Sequence, residues 1–212
     1  DLRQLFIGAE GTLGFVVEAT MRLERAPCNL TAMVLGTPDF DSIMPVLHAF
    51  QNRVDLTAFE FFSDKAMAKI MGRGDVPAPF ATDCPFYALL EFEALNEDIA
   101  DEALATFEHC VEQGWVLDGV MSQSEQQLQN LWKLREFISE TISHWTPYKN
   151  DISVTVGKVP AFLHDIDAIV AEHYPDFEIV WFGHIGDGNL HLNILKPETL
   201  SKDEFFTRCA GV

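Results

Sequence analysis

The stretch Phe182 to Ile194, FGHIGDGNLHLNI, sets two histidines seven residues apart around the run Gly-Asp-Gly-Asn. Alternating residues on either side of that run predict two strands, residues 177–184 and 190–195, folded back as a β-hairpin. Symmetric closure on Asp187-Gly188, or on the four residues 186–189, gives the same register, with residue 185 opposite residue 190. His184 then lies directly across from His191, with Cβ atoms ~5 Å apart. Ile185, Leu190, Leu192 and Ile194 share the other, apolar face, and Asn193 joins the histidines. Two readings stand open. The imidazoles hold a divalent metal, or they flank a turn on a solvent-facing strand. A catalytic zinc takes three protein ligands, so the first reading needs another ligand from elsewhere.

Working outward from the hairpin, strand-like and helix-like runs alternate. Strands are expected at residues 15–23, 31–36, 57–61, 86–93 and 151–156. Helices are expected at 41–52, with Asp39 or Asp41 as cap, and at 63–71. A third, capped by Asn96, runs to about Gln113 and ends at Gly114. A fourth is the long run EQQLQNLWKLREFISETISHW from Glu125, where Ser122 and Glu125 fit a capping box. The last begins at Pro160, a first-turn position that tolerates proline, and reaches His173. GRGDVPAPFATDCP, residues 72–85, is a loop by composition. This mixed order, ending in a hairpin, predicts an α+β fold: a ferredoxin-like antiparallel sheet covered by helices on one face.

The chain of 212 residues carries 14 Lys and Arg against 33 Asp and Glu, a formal charge of −19 that repels phosphate backbones and anionic lipid. Nucleic acid is not an expected partner. No apolar run approaches the roughly 20 residues that span a bilayer. Cys28, Cys84, Cys110 and Cys209 form no C-x-x-C, which points away from a zinc knuckle or disulfide framework and toward a reducing compartment. A soluble, cytoplasmic protein is expected, peripheral to a membrane only through an electron-acceptor partner. The opening beside a glycine-rich turn and the end at Ala210-Gly211-Val212 suggest a piece of something longer.

On the predicted helix from Glu125, Leu128, Leu131, Leu134, Ile138 and Ile142 form an apolar stripe. At about 100° per residue Arg135 projects inside that stripe, with Ser139 one turn on at its edge. An inward guanidinium suits a carboxylate gripped by two parallel hydrogen bonds. It can equally snorkel to water or pair with an internal Glu. Lys149, in PYKND, adds a second positive charge but alone is an ordinary loop lysine. Gly8, Gly11 and Gly14 match neither G-x-G-x-x-G nor a P-loop, and by physics alone they read as a tight turn.

Three segments in sequence order carry a family resemblance that covers nearly the whole chain. GAEGTLGFVVEATMRL resembles the end of the flavin-binding domain in FAD-linked oxidases of the vanillyl-alcohol oxidase and p-cresol methylhydroxylase superfamily. LWKLREFISE resembles the substrate-arginine helix of its D-lactate, glycolate and D-2-hydroxyglutarate dehydrogenase branch. GHIGDGNLHLN resembles that branch's metal signature.

The resemblance implies that residues 1–25 are the tail of an FAD-binding domain and residues 26–212 a substrate and metal domain. It implies His184 and His191 as ligands of a divalent metal, usually zinc. Arg135 and Lys149 would bind substrate carboxylate, and Asn193 would hydrogen-bond the substrate. Ser139 stands where threonine is common. Gly11, Thr12, Leu13, Gly14 and Phe15 would lie along FAD, with Ala9 in place of the customary serine and Phe15 in place of isoleucine. The activity implied is oxidation of a D-2-hydroxy acid, D-2-hydroxyglutarate or D-lactate, by hydride transfer to FAD. The alternatives are a glycolate-oxidase-type subunit of a multi-chain complex, or a noncatalytic binding module on the same fold. The implied partners are the small 2-hydroxy acid, the parent's N-terminal FAD-binding domain, an electron acceptor and a second copy in a homodimer. The family's pyrophosphate-binding region precedes residue 1, and its Glu-His-Gly segment, source of a third ligand and the base, follows Val212. The isolated piece is therefore expected to be inactive.

Overall fold

The computed structural model describes residues 1–23 and 25–211. Glu24, within the expected flavin-domain tail, and Val212, at the end of the expected substrate domain, lie outside the described residues. In chain order the elements are β1 (Leu30–Thr37), α1 (Ile43–Gln51), β2 (Leu56–Ser63), α2 (Asp64–Met71), β3 (Phe86–Glu93), α3 (Glu97–Glu112) and β4 (Asp118–Met121). Then come α4 (Glu125–Glu136), α5 (Ile138–Ile142), β5 (Tyr148–Ser153), α6 (Val159–His173), β6 (Glu178–His184), β7 (Asn189–Leu195) and α7 (Lys202–Cys209). The seven strands form one sheet in the order β4-β1-β3-β2-β6-β7-β5, antiparallel at every pairing. The expected α+β antiparallel architecture is the one observed.

The helices cover both faces of the sheet rather than one. Strand parity sorts the core: Met33, Leu35, Phe61, Leu90, Phe92 and Trp181 pack with residues of α1, α3, α6 and α7. Their neighbours Ala32, Val34, Phe62, Leu89 and Val180 pack with α2, α4 and α5. The runs TAMVLG and YALLEF already lack polar alternation, as expected of strands buried on both sides.

The alternating segment expected as a strand at residues 15–23 has no regular structure, and its Phe15 side chain is 89% exposed. Alternation makes a segment able to be a strand, but only a neighbour completes its hydrogen-bond ladder, and none of the seven strands pairs with it. The capping box expected at Ser122 is also displaced. Ser122 directly follows β4, and its hydroxyl oxygen accepts from Ala32 N–H (3.0 Å), so Ser124 caps α4 by accepting from Gln127 N–H (3.3 Å). β4, only four residues long, was not visible beforehand. The long helix divides at Phe137, and β5 begins at Tyr148, ahead of the expected 151. Asn96 caps α3 as expected, accepting from Ile99 N–H.

Candidate metal and anion site

The hairpin turns one step earlier than symmetric closure predicts. Residues 185–188 form the turn, with Gly188 N–H bonding to Ile185 O and Asp187 N–H to His184 O. His184 therefore opposes Asn189, and Phe182 opposes His191. Three tertiary contacts explain the choice. Ile185 is drawn into the core, Gly186 N–H donates to Phe59 O on β2, and Val154 N–H donates to Gly188 O. Gly188 has φ +79°, and a Cβ there would lie 2.0 Å from Val154 O, so only glycine closes this turn. A shift of two residues preserves side-chain parity. Both imidazoles remain on one face, diagonal neighbours with ring centroids 5.4 Å apart. Ile185, Leu190, Leu192 and Ile194 remain on the opposite, apolar side.

Each ring is held through Nδ1 by a carboxylate that sequence reading did not single out. His184 Nδ1 lies 2.7 Å from Glu60 Oε1, and His191 Nδ1 bonds Asp151. A carboxylate partner assigns the proton to Nδ1 and leaves Nε2 free to accept or to ligate. A metal-bound histidine usually has its other ring nitrogen held by a carboxylate in this way, so the residues fit a divalent ion. Two ligands are not a closed site. Among the described residues no group of three or more His, Cys, Asp and Glu is gathered to hold a metal.

Arg135, on the last turn of α4, reaches the same place. It is 7% exposed, its guanidinium stacks 4.7 Å from the Phe182 ring, and its Nε is 2.9 Å from Glu60 Oε2. That contact is a close ion pair, and Nη2 has no hydrogen-bond partner among the described residues. Burial lowers the Arg135 pKa, and the charge of Glu60 opposes the shift. One turn beyond, Ser139 Oγ accepts from Lys149 Nζ (3.0 Å). Lys149 opposes Asn193 across the β5–β7 ladder, and Asp151 opposes His191, so all four share a face. Asn193 is buried, its amide nitrogen turned to His191 O (3.2 Å) and Val180 O (3.5 Å). Five expected residues thus form one constellation, and Asn193 sits beneath it, facing backbone. An open cavity of ≈ 470 Å³ adjoins it, lined in part by Thr57, Glu60, His184 and Asp187.

α4 is pinned by a second carboxylate. Trp132 Nε1–H donates to Glu91 (2.7 Å), which also accepts from the Thr57 hydroxyl (2.8 Å) at the β2 irregularity. Arg135 follows Trp132 by one turn, so this anchor sets where the guanidinium lands. The available signal for Glu60 and Glu91 was a lone acid inside the apolar runs AFEFFS and ALLEF.

Residues 26–205 match the family described as FAD linked oxidases, C-terminal domain. The chain belongs to that family. A Stutzerimonas stutzeri D-2-hydroxyglutarate dehydrogenase is 87% identical over 212 residues, covering 100% of this chain and 46% of its own. A D-2-hydroxyglutarate dehydrogenase of Xanthomonas citri is 51% identical over 100% of this chain and 45% of its own. The chain therefore spans under half the length of the curated relatives it matches. A solved alkyldihydroxyacetonephosphate synthase superimposes with a TM-score of 0.58 at 13% identity, covering 99% of this chain and 43% of that one, a likeness of fold. The expected flavin contacts Gly11, Thr12, Leu13, Gly14 and Phe15 lie in an exposed segment without helix or strand. There Thr12 bonds back to Ala9, and Gly11 and Gly14 have positive φ. No helix among the described residues is long and apolar enough to cross a membrane.

Proposed function

We propose that the full-length protein carrying this chain oxidises D-2-hydroxyglutarate to the 2-oxo acid, with D-lactate as the alternative substrate. The observation that carries this reading is the buried Arg135, with Nη2 lacking a hydrogen-bond partner among the described residues, facing the same site as two carboxylate-held imidazoles. A buried guanidinium with unpaired donors is costly until an anion fills it. The names of the 87% and 51% identical relatives supply the substrate class.

In this reading Arg135, Ser139 and Lys149 grip the carboxylate remote from the reacting carbon, and the second positive charge favours a dicarboxylate over lactate. Asn193 lies beneath Lys149 and the imidazoles, its amide nitrogen held by His191 O and Val180 O and its amide oxygen offered to the substrate. His184 and His191 hold a divalent ion, zinc by preference, through Nε2, and the third ligand and the base come from outside this chain. When bound, the metal lowers the pKa of the substrate hydroxyl and FAD accepts the hydride from Cα. The chain's own residues fix the acid so that its Cα hydrogen faces one direction. Residues 1–25, with Gly11, Thr12, Leu13, Gly14 and Phe15, belong to the flavin domain and lie along FAD. Four free cysteines, three of them buried, suit the cytoplasm.

The test is anaerobic addition of D-2-hydroxyglutarate, its L enantiomer and D-lactate to the full-length flavoprotein. Bleaching of the flavin absorbance is expected with the D acids, fastest with D-2-hydroxyglutarate, and is expected to be abolished by a chelator and restored by zinc. A fully loaded flavoprotein that no D-2-hydroxy acid bleaches would overturn the reading.

A further inference from the structure

We propose that Glu60 is a positioning residue that couples the metal half of this site to its anion half, a role that rests on the reading above. Glu60 sits in the middle of β2, 6% exposed, in a run otherwise made of Ala, Phe and Ser. A carboxylate buried there is tolerated only with partners of opposite charge or good donors. It has one for each oxygen, drawn from two separate elements. Oε1 faces His184 Nδ1 on β6 at 2.7 Å, and Oε2 faces Arg135 Nε on α4 at 2.9 Å.

The two contacts differ in kind. The bond to His184 fixes the ring and its tautomer, so Nε2 is presented outward from a half-exposed side chain. The contact with Arg135 is an ion pair between Nε and Oε2 that leaves Nη2 without a partner among the described residues, while the Phe182 ring stacks on the guanidinium. The arginine is therefore kept in place by charge, and Nη2 is the donor left for a carboxylate that reaches it. His191 has no such link. Its partner Asp151 is 78% exposed and forms no other ion pair among the described residues. The asymmetry makes a specific demand. Removing the charge at residue 60 should disturb two functions, whereas removing it at residue 151 should disturb one.

The experiment compares Glu60→Gln, Glu60→Asp and Asp151→Asn in the full-length flavoprotein. Zinc affinity is read by chelator competition, and KM and kcat for D-2-hydroxyglutarate are read at saturating zinc. Glu60→Gln is expected to weaken zinc binding by about 10–100-fold. It should also raise KM at saturating zinc about tenfold or more while kcat changes far less, as for lost uniform binding. Glu60→Asp, which keeps the charge, should recover part of both. Asp151→Asn should weaken zinc and leave the zinc-saturated KM within about twofold, because it touches only the imidazole. Glu60→Gln behaving like Asp151→Asn, or leaving either quantity at the wild-type value, would overturn the coupling. A wild-type flavoprotein that binds no zinc and is bleached by no D-2-hydroxy acid would overturn the site reading itself, and the coupling with it.

Discussion

The two faces of the sheet are built from the same strands yet do different work. Under α1, α3, α6 and α7 the strands present an unbroken apolar surface, from Met33 and Leu35 through Phe61, Leu90 and Phe92 to Trp181 and Leu192. Under α2, α4 and α5 the surface is apolar over β1 and most of β3 but turns polar from Glu91 on β3 and Glu60 on β2 toward β6, β7 and β5. There Glu60, Glu91, Arg135, His184, His191 and Asn193 lie close together. The first face supplies the hydrophobic burial that stabilises the domain. The second spends part of that stability on buried charges, tolerable because each has a partner or a waiting ligand.

The comparison can be broken first on the apolar face. Phe61→Ala removes a fully buried ring and is expected to lower stability by about 3–5 kcal/mol in urea unfolding. A loss below about 1 kcal/mol would mean that this face is not the main source of stability. The hairpin that joins the faces comes next. Gly188→Ala forces a Cβ onto Val154 O at a positive φ and should cost about 2–3 kcal/mol, with zinc affinity falling because both imidazoles ride on that turn. Unchanged stability and metal binding would show that the turn does not set the register.

On the polar face, Trp132→Phe keeps most of the ring but strips the donor from buried Glu91. We expect a loss of about 1–2 kcal/mol in the same assay, together with a raised KM because Arg135 rides on the same helix. A smaller, pH-dependent effect returns to the apolar face. Burial pushes the Cys110 thiol from an ordinary 9.0 up to about 11. The folded protein thus holds this proton more tightly than the unfolded chain does. The thiol's contribution is complete below pH 9.0 and declines as pH rises toward about 11. Cys110→Ala should flatten that part of the stability profile, and in the wild type exposed Cys28 should react with a thiol reagent at pH 8 long before Cys110 does. An unaltered alkaline profile would argue against the burial of this thiol.

Much of this was legible in advance because it depends on local periodicity. The placement of β1, β2, β3, α2, α3 and the hairpin follows from runs of apolar residues and their punctuation. The inward turn of Arg135 follows from its place in a helical stripe. The contact between Ser139 and Lys149 was not legible, because the sequence places the two separately, one at the edge of a helical stripe and one in a loop. Glu60 and Asp151 stayed out of view since a lone acid in a strand carries no mark of what will be packed against it. The segment at residues 15–23 shows the reverse error: its alternation was real, but an amphipathic strand without a neighbouring ladder forms none.

By itself, then, the sequence determined an antiparallel α+β chain, and it put both histidines and Asn193 on one side of a ribbon, because side-chain parity survives any two-residue change of register. Only the tertiary structure decided which residues oppose one another in that ribbon, that helices cover both faces, and that one buried carboxylate sits between an imidazole and a guanidinium. Those outcomes depend on contacts such as Gly186 N–H to Phe59 O and Arg135 Nε to Glu60, between residues far apart along the chain. Their energies are settled by what else occupies the same space, which no local pattern records.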